Sequence, residues 1–251
     1  MGRGRKGPHH AAELLARLRL RRKSTWFRLA GPNSCTMGAI MRHRPMAVIL
    51  ILIASALLHA QNAPAPAAIA QRLDTPQARV YIATLQPHTP SISKNGHATN
   101  RVLIYMDDGT MTVKEGSGTT SLAFKRGDVR WRAAGGPYTA ENTSDHAIRI
   151  LEIDLKGPPA GPAPVTKLDP AAVDPQHYKV DFENEFVRVL RVHFGPGEKG
   201  ATHEHILNRV VFYVNDQPNA KADEVRMSGA ATHAEANDSA LPADRIAVEL
   251  K

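Results

Sequence analysis

Residues Gly197 to Val214 read GEKGATHEHILNRVVFYV and carry the most informative pattern of the chain. This stretch places His203 and His205 two residues apart, shortly before the strand-like run Val210 to Val214. In an extended chain, residues two apart point to the same face, so the two imidazoles project together and Glu204 is turned away from them. Neutral imidazoles suit iron, zinc, copper and nickel, and two of them on one side of a strand begin a metal site.

A second histidine motif lies downstream, where three residues separate His233 from Asn237. Gly-x5-His-x-His followed by His-x3-Asn resembles the two motifs of the cupin superfamily, whose members are small β-barrels that hold a metal in their interior. The resemblance implies that His203, His205 and His233 are the metal ligands. It also implies a glutamate four residues after the second histidine, and Arg209 stands at that position instead.

The second half of the chain repeats the first, which indicates a duplicated domain. The matching pairs are residues 79–87 with 188–196, 100–107 with 208–215, 129–130 with 225–226, and Asn142 with Asn237. Short runs of β-branched and aromatic residues, separated by Gly, Asn, Asp and Pro, fill both halves and predict strands. We therefore expect an all-β bicupin, with two small cupin barrels of the double-stranded β-helix or jelly-roll type in tandem at residues 74–156 and 174–251.

The first copy lacks most of the metal motif. Following the repeat, Asn95, His97 and Tyr138 take the places of the three histidines. An amide, one imidazole and a phenol form a poor transition-metal site, so we expect a degenerate first barrel without a tightly bound metal. His97 and Tyr138 are predicted to line a small polar pocket. Arg101 matches Arg209, and we interpret both arginines as structural residues that pair with an acid outside the barrel.

Glycine, proline and small polar residues mark the connections. The Asp-Asp-Gly at residues 107–109 predicts a hairpin between the flanking strands. A second turn is predicted at Gly-Ser-Gly, residues 116–118, which lacks the lysine and the spacing of a phosphate-binding loop. Residues 61–73, rich in Ala, Pro and Gln, are expected to form a flexible leader, and residues 157–173 a Pro/Gly-rich linker.

The positive charge of the chain is concentrated at its amino terminus. Residues 1–60 carry eleven Lys or Arg against one acid, whereas residues 61–251 carry twenty-one against twenty-three. The overall formal charge of +8 therefore does not indicate a nucleic-acid partner for the folded part. Residues 1–40 are interpreted as a basic extension that is disordered or precedes the true start of translation.

An apolar segment follows this extension. Met46–Leu58 contains thirteen residues without a charge, fewer than the roughly twenty that a membrane span needs. Residues 41–60 are therefore predicted to be a signal peptide or a membrane anchor. We expect an exported protein, periplasmic or extracellular, that touches a membrane only through residues 46–60. Cys35 is the only cysteine, so the exported part forms no disulfide.

One further acidic residue and several histidines have separate interpretations. Glu235 lies two residues after His233 and is a further candidate to approach the metal. His193 is interpreted as a strand histidine with a partner of its own. No function is assigned to His88, His146 and His177.

The expected function follows from the three histidines. Such a site would hold a divalent transition metal, with Fe, Zn, Ni and Mn not distinguished, and would leave positions open for a small-molecule ligand. If the protein is an enzyme, an oxygenase is favoured over an isomerase or a hydrolase. No catalytic residue is assigned. The alternative is a non-catalytic bicupin that binds a sugar or an organic acid, or has a structural role. Exposed barrel edges favour a homodimer or the packing of the two barrels within one chain.

Overall fold

A computed structural model of the protein describes residues 67–93, 97–159, 161 and 165–251. The basic extension 1–40, the apolar segment 41–60 and Asn95 lie outside these described residues. Among the residues that are described, no helix is long and apolar enough to cross a membrane.

Strands dominate the described part of the chain, which confirms the all-β prediction. In chain order the elements are β1 (Ala68–Asp74), β2 (Ala78–Leu85), β3 (Pro90–Ser93), β4 (Arg101–Tyr105), β5 (Gly109–Glu115), β6 (Gly118–Phe124), β7 (Val129–Arg132), β8 (Tyr138–Asn142), β9 (Ile148–Leu155), α1 (Pro170–Val173), β10 (Tyr178–Glu183), β11 (Val187–Phe194), β12 (His203–His205), β13 (Arg209–Tyr213), β14 (Val225–Ser228), β15 (Ala231–His233) and β16 (Ala243–Leu250).

Each half of the chain forms one barrel from two antiparallel sheets. In the first barrel the strand orders are β1-β2-β9-β4-β7 and β3-β8-β5-β6. In the second barrel they are β10-β11-β16-β13-β14 and β12-β15. The chain crosses repeatedly between the two sheets of a barrel, which is the jelly-roll topology.

The hairpin predicted at residues 107–109 is wrong. β4 already has β7 and β9 as its two neighbours, so it has no free edge for β5, which joins the other sheet. The Asp-Asp-Gly segment is therefore a corner between two sheets, and Asp107 holds it by accepting hydrogen bonds from the backbone and side chain of Arg149. The turn predicted at residues 116–118 is confirmed, since Gly116, with a φ of +57°, lies in the two-residue connection between β5 and β6.

The flexible leader is corrected over most of its described length. Residues 68–73 belong to β1, which pairs with β2 from Ala68–Thr84 to Asp74–Arg79. Without β1, the free edge of β2 would expose a row of unpaired backbone groups. The strand also has a counterpart in β10, so the leader belongs to the repeat.

The linker also contains ordered structure at its carboxyl end. The short helix α1 begins after Asp169, whose carboxylate accepts a hydrogen bond from the backbone nitrogen of Ala172. Pro170 follows in the first turn, where a backbone N–H would have no acceptor within the helix, so the missing N–H of proline costs no hydrogen bond. Asp169 also pairs with Arg188 on β11, which attaches the linker to the second barrel.

The two five-stranded sheets, one from each barrel, pack face to face. The largest buried cluster joins side chains of both, among them Val80, Val102, Ile153, Val189, Val210 and Val248. At its margin the rings of Trp131 and Phe186 stack with centroids 5.5 Å apart. Because strand side chains alternate, the opposite faces of the same strands line the barrel interiors. The sequence predicted either a homodimer or the packing of the two barrels within one chain. The structure contains the second of these arrangements.

The internal repeat extends to individual hydrogen bonds. Asn142 and Asn237 are both buried. The side-chain nitrogen of Asn142 donates to the carbonyl of Leu85, and that of Asn237 donates to the carbonyl of Phe194, the equivalent position. Each asparagine also donates to the carbonyl four residues further along the chain. Both barrels therefore close with the same buried amide.

Candidate metal centre

The structure brings His203, His205 and His233 together. His203 and His205 lie on β12, and antiparallel pairing with β15 sets His233 directly opposite His203. Strand alternation then directs the three imidazoles to one side. One nitrogen of each ring lies within 4.8 Å of one nitrogen of each of the other two. His203 and His205 are buried, and His233 is half-buried.

Hydrogen bonds determine which nitrogens remain for a metal. Nδ1 of His203 lies 3.0 Å from the carbonyl oxygen of Ala201, which can only accept, so this nitrogen carries the proton. Nδ1 of His205 lies 2.9 Å from a carboxylate oxygen of Glu249 and donates to it. In the neutral rings, Nε2 is then the free ligand atom.

Two of these ligand atoms are buried and unsatisfied. Nε2 of His203 and Nε2 of His233 have no hydrogen-bond partner among the described residues. Buried nitrogens are costly when unpaired, and a metal ion would supply the missing partner. Burial lowers the pKa of both His203 and His233, which favours the neutral form that binds metals. The residues present therefore fit a divalent transition metal.

A polar network supports the centre from one side. The ring of Tyr178 lies 4.6 Å from that of His203, centroid to centroid, and its hydroxyl donates to Glu235 at 2.9 Å. Arg245 donates to the other oxygen of Glu235 at 2.8 Å. Burial raises the pKa of the Glu235 carboxyl, but the charge of Arg245 and the hydrogen bonds from Tyr178 and Arg245 together outweigh it, and the net shift is downward. Both carboxylate oxygens are thus engaged, so Glu235 does not join the three imidazoles.

Gly197 and Gly200, which both precede His203, are required for different structural reasons. Gly197 has a φ of +75°, in the left-handed region that favours glycine. A Cβ on Gly200 would lie 2.5 Å from Oδ2 of Asp174. That carboxylate oxygen accepts a hydrogen bond from the backbone nitrogen of Ala201 at 3.0 Å. The close approach at Gly200 therefore positions the carbonyl of Ala201, which in turn orients His203.

The two arginines pair differently from the prediction. Arg101 forms ion pairs with Glu152 at 2.6 Å and Asp154 at 2.8 Å. Arg101 thus pairs with acids, as predicted. The acids lie inside the barrel and not outside it, because Arg101 lies on the face of β4 that lines the interior. Arg209 donates to the carbonyl of Gly229 at 2.6 Å, and no ion pair involves it among the described residues.

The remaining histidines lie away from the centre. His193 is exposed and hydrogen-bonds Asp244 at 2.7 Å, which confirms a strand histidine with its own partner. His177 is buried, stacks on Phe194 and hydrogen-bonds Asp174 at 2.7 Å. Glu204 is turned outward, where it accepts a hydrogen bond from Thr166 of the linker.

In the first barrel, His97 and Tyr138 also meet, with ring centroids 5.7 Å apart. Nε2 of His97 lies 2.9 Å from Nε of Arg132, which donates to it. The guanidinium of Arg132 lies over the Tyr138 ring, with Cζ 4.0 Å from the centroid. Within the described part of this barrel, no group of three metal-ligating side chains is found.

Sequence reasoning missed the residues that hold the ligands. Glu249 is one of them, although the repeat contained a signal: it aligns with Asp154 and lies opposite Arg209 in the strand pairing, as Asp154 lies opposite Arg101. Tyr178 carries no comparable signal, because its contact with Glu235 spans fifty-seven residues.

Comparison of the sequence with family models and with curated proteins gave no match. The structure does match solved structures. Salicylate 1,2-dioxygenase from Pseudoaminobacter salicylatoxidans, solved as a single-residue variant, is similar at a TM-score of 0.51 and 9% identity, over 80% of this chain and 82% of that one. The chain has the fold of the cupin superfamily.

Other cupin structures match less closely. A cupin 2 conserved barrel domain protein from Leptotrichia buccalis has a TM-score of 0.49 and 12% identity, over 77% of this chain and 94% of that one. Oxalate decarboxylase from Bacillus subtilis, described with Mn(II) centres, has a TM-score of 0.47 and 11% identity, over 73% and 75%. At such identities the likeness is one of fold, and the function of this chain must be argued from its own residues.

Proposed function

We propose that the second barrel of this bicupin binds one divalent transition metal on His203, His205 and His233. The observation that carries the proposal is the pair of buried, unpartnered Nε2 atoms of His203 and His233 beside the third imidazole. Hydrogen bonds through Nδ1 already fix two of the three rings, so little ordering is left for metal binding to impose.

The three imidazoles also influence which reactions the bound metal would support. Three neutral imidazoles leave the full charge of a divalent ion uncompensated, which favours an anionic or chelating oxygen or sulfur ligand at the remaining positions. When bound, the metal would supply Lewis-acid chemistry or, as iron, redox chemistry toward that small molecule. Arg209 is a buried cation whose charge acts on His233, so it would attract such an anion. The finer proposal is an oxygenase that acts on a small chelating molecule.

Metal analysis of the protein, purified without a histidine tag, tests the metal site. We expect about one transition-metal ion per chain, and its loss in the double variant His203→Ala/His205→Ala. A matched control replaces the exposed His146 and His193 by alanine and should keep the metal. Absence of metal from the natural protein, even after reconstitution with Fe(II), Zn(II), Ni(II) or Mn(II), would contradict the proposal.

Oxygen consumption tests the enzyme class. The Fe(II)-loaded protein is mixed with a panel of thiols and diketones, which are small chelating substrates. Uptake that disappears in the His203→Ala/His205→Ala variant supports an oxygenase. If the metal is bound and no member of the panel gives uptake, the oxygenase proposal fails while the metal site stands.

A second candidate function, non-catalytic binding of a small molecule, is favoured by a different observation. The first barrel, which lacks the histidine set, encloses a cavity of about 460 Å³. Small-molecule sites have volumes of roughly 300–1,000 Å³. Binding there would need no metal.

We also propose that the protein is exported. The support is the uncharged run Met46–Leu58 after a basic segment, and the change in charge balance at about residue 60. Cell fractionation with amino-terminal sequencing of the mature protein tests it. A mature chain that starts shortly after residue 60 outside the cytoplasm is expected, and an intact chain in the cytoplasm would contradict it.

A further inference from the structure

The cavity of the first barrel has a mainly apolar wall. Its volume is about 460 Å³, and the apolar side chains that line it include Leu103, Tyr105, Met111, Val113, Leu122 and Ile150. The wall therefore suits the apolar body of a ligand, whose removal from water would drive binding.

The polar side of the cavity carries an excess of positive charge. Arg101, Arg130 and Arg132 line it, together with a single carboxylate, that of Glu152. Arg101 is neutralised by Glu152 and by a second carboxylate of the same strand. Within the described residues, no carboxylate pairs with Arg130, and Arg132 reaches only the exposed Glu115, at 3.4 Å. An exposed pair of this length contributes little, so two guanidinium groups remain available to an anion.

Arg132 is fixed where the second barrel would carry its metal. Its Nε donates to Nε2 of His97, the ring nitrogen that corresponds to the free Nε2 of His205. His97 can accept because its Nδ1 donates to the carbonyl of Thr99 at 2.9 Å. With the guanidinium also stacked on Tyr138, the side chain is held at two points. Its Nη2 donates to the exposed Glu115 at 3.4 Å, and no hydrogen bond of its Nη1 is found among the described residues, so Nη1 is free to donate.

We propose that the first barrel is a metal-independent binding site for a small organic acid. The carboxylate binds the terminal nitrogens of Arg132, and the apolar body fills the cavity beside Leu103 and Leu122. A planar guanidinium matches a carboxylate in geometry and charge, and a stacked, preordered one loses little freedom on binding. The site does not rest on the metal proposed for the second barrel, because every residue that lines it belongs to the first barrel, between Ala67 and Glu152.

The cavity reaches solvent at two edge strands. Ile69 on β1 and Ile92 on β3 both line it and are 69% and 63% exposed. Large apolar side chains that are exposed at the rim of a cavity are typical of a binding site for an apolar molecule. This position gives the acid a route into the barrel with its carboxylate directed toward Arg132.

Titration calorimetry of the full-length protein with octanoate, and with octanol as the neutral molecule of the same chain length, tests the proposal. We expect one octanoate per chain and an affinity for octanol that is weaker by roughly tenfold or more, since hydrogen bonds to a charged group are lost. Trp131 lines the cavity, so its fluorescence provides a second readout of occupancy.

Two variants separate the carboxylate site from the apolar wall. Arg132→Gln should weaken octanoate binding by roughly tenfold or more and leave octanol unchanged, whereas Arg191→Gln, which removes a surface arginine paired with Asp181, should change neither. Leu122→Trp fills the cavity and keeps Arg132, so it should weaken both ligands. Thermal unfolding of each variant without ligand shows that the barrel is folded.

Four results would each overturn the proposal. Octanol could bind as tightly as octanoate, Arg132→Gln could keep its affinity for octanoate, or octanoate and the aromatic acid phenylacetate could both fail to bind. Binding that disappears in His203→Ala/His205→Ala would also overturn it, because the acid would then occupy the second barrel. Loss of metal in that variant with octanoate binding intact keeps the two proposals distinct.

Discussion

At equivalent positions of the two barrels, His233 of the second barrel faces His203 across a strand pair, whereas Tyr138 of the first lies beneath the guanidinium of Arg132. His205 and His97 also correspond, but a carboxylate orients His205 and an arginine occupies the free nitrogen of His97. The first barrel therefore has a cation of its own, Arg132, at the place where the second barrel has three clustered imidazoles. Loss of the histidine set therefore leaves a differently charged site and does not leave an empty barrel.

The second sheets of the two barrels differ in topology. The first barrel has the β5–β6 hairpin and a four-stranded second sheet, whereas residues 214–224 of the second barrel connect β13 to β14 without a named strand. In the second barrel, Tyr178, Phe194 and Tyr213 are buried in the interior clusters. The second sheet thus has four strands in the barrel with the described cavity and two strands in the barrel with the three imidazoles.

The largest effect is expected where the barrels agree. Asn237→Ala removes three hydrogen bonds from the buried amide nitrogen to backbone carbonyls, and Asn142→Ala removes two. Because the carbonyls are left unsatisfied, we expect each substitution to reduce the free energy of unfolding by about 3 kcal/mol. Chemical denaturation monitored by circular dichroism measures this.

Asn219, which is exposed, is the matched control, and Asn219→Ala should change stability little. A large loss for only one of the two buried asparagines would break the equivalence of the barrels. It would mean that the other barrel is held closed by its packing alone.

A smaller effect is expected where the barrels differ. Glu249→Gln keeps the shape of the side chain but removes the charge that accepts the Nδ1–H of His205. Such partners of metal-binding histidines change metal affinity by about 10–100-fold, so we expect a loss in that range. Competition with a chromophoric chelator for Zn(II) measures it.

Asp154→Asn makes the matched change in the first barrel and should leave metal affinity unaltered. Equal metal affinity in Glu249→Gln and the natural protein would show that His205 is held in place without the carboxylate. The contrast between the two barrels would then rest on the imidazoles alone.

The comparison also separates what the sequence can predict from what it cannot. The shared face of His203 and His205 follows from strand alternation. The repeat follows from matched spacing, and the resemblance to the cupin motifs implies His233, so the clustering of the three histidines could be expected from the sequence. Glu249 lies forty-four residues from His205 and Arg132 thirty-five from His97, and both contacts depend on how the sheets close.

The wrong hairpin at residues 107–109 has the same origin in long-range pairing. Turn residues mark a change of direction, but only the neighbours of β4 decide whether β5 returns beside it or crosses to the other sheet. Local chemistry predicted the strands and turns, and long-range pairing decided their partners.

The smallest effect concerns the linker, which Asp169 and Arg188 attach to the second barrel. Hydrogen bonds from Arg188 lower the pKa of the Asp169 carboxyl below its ordinary value of 3.8. A lowered folded-state pKa contributes stability above the ordinary value, and that stability is lost as pH falls through the folded-state pKa. Asp169→Asn keeps the helix cap and removes the charge, so it should cost about 1 kcal/mol or less at pH 7. Urea denaturation of both proteins at pH 7 and at pH 3 measures it: the difference should shrink at the lower pH, and a difference that is equal at both would mean that the attachment of the linker does not depend on this charge.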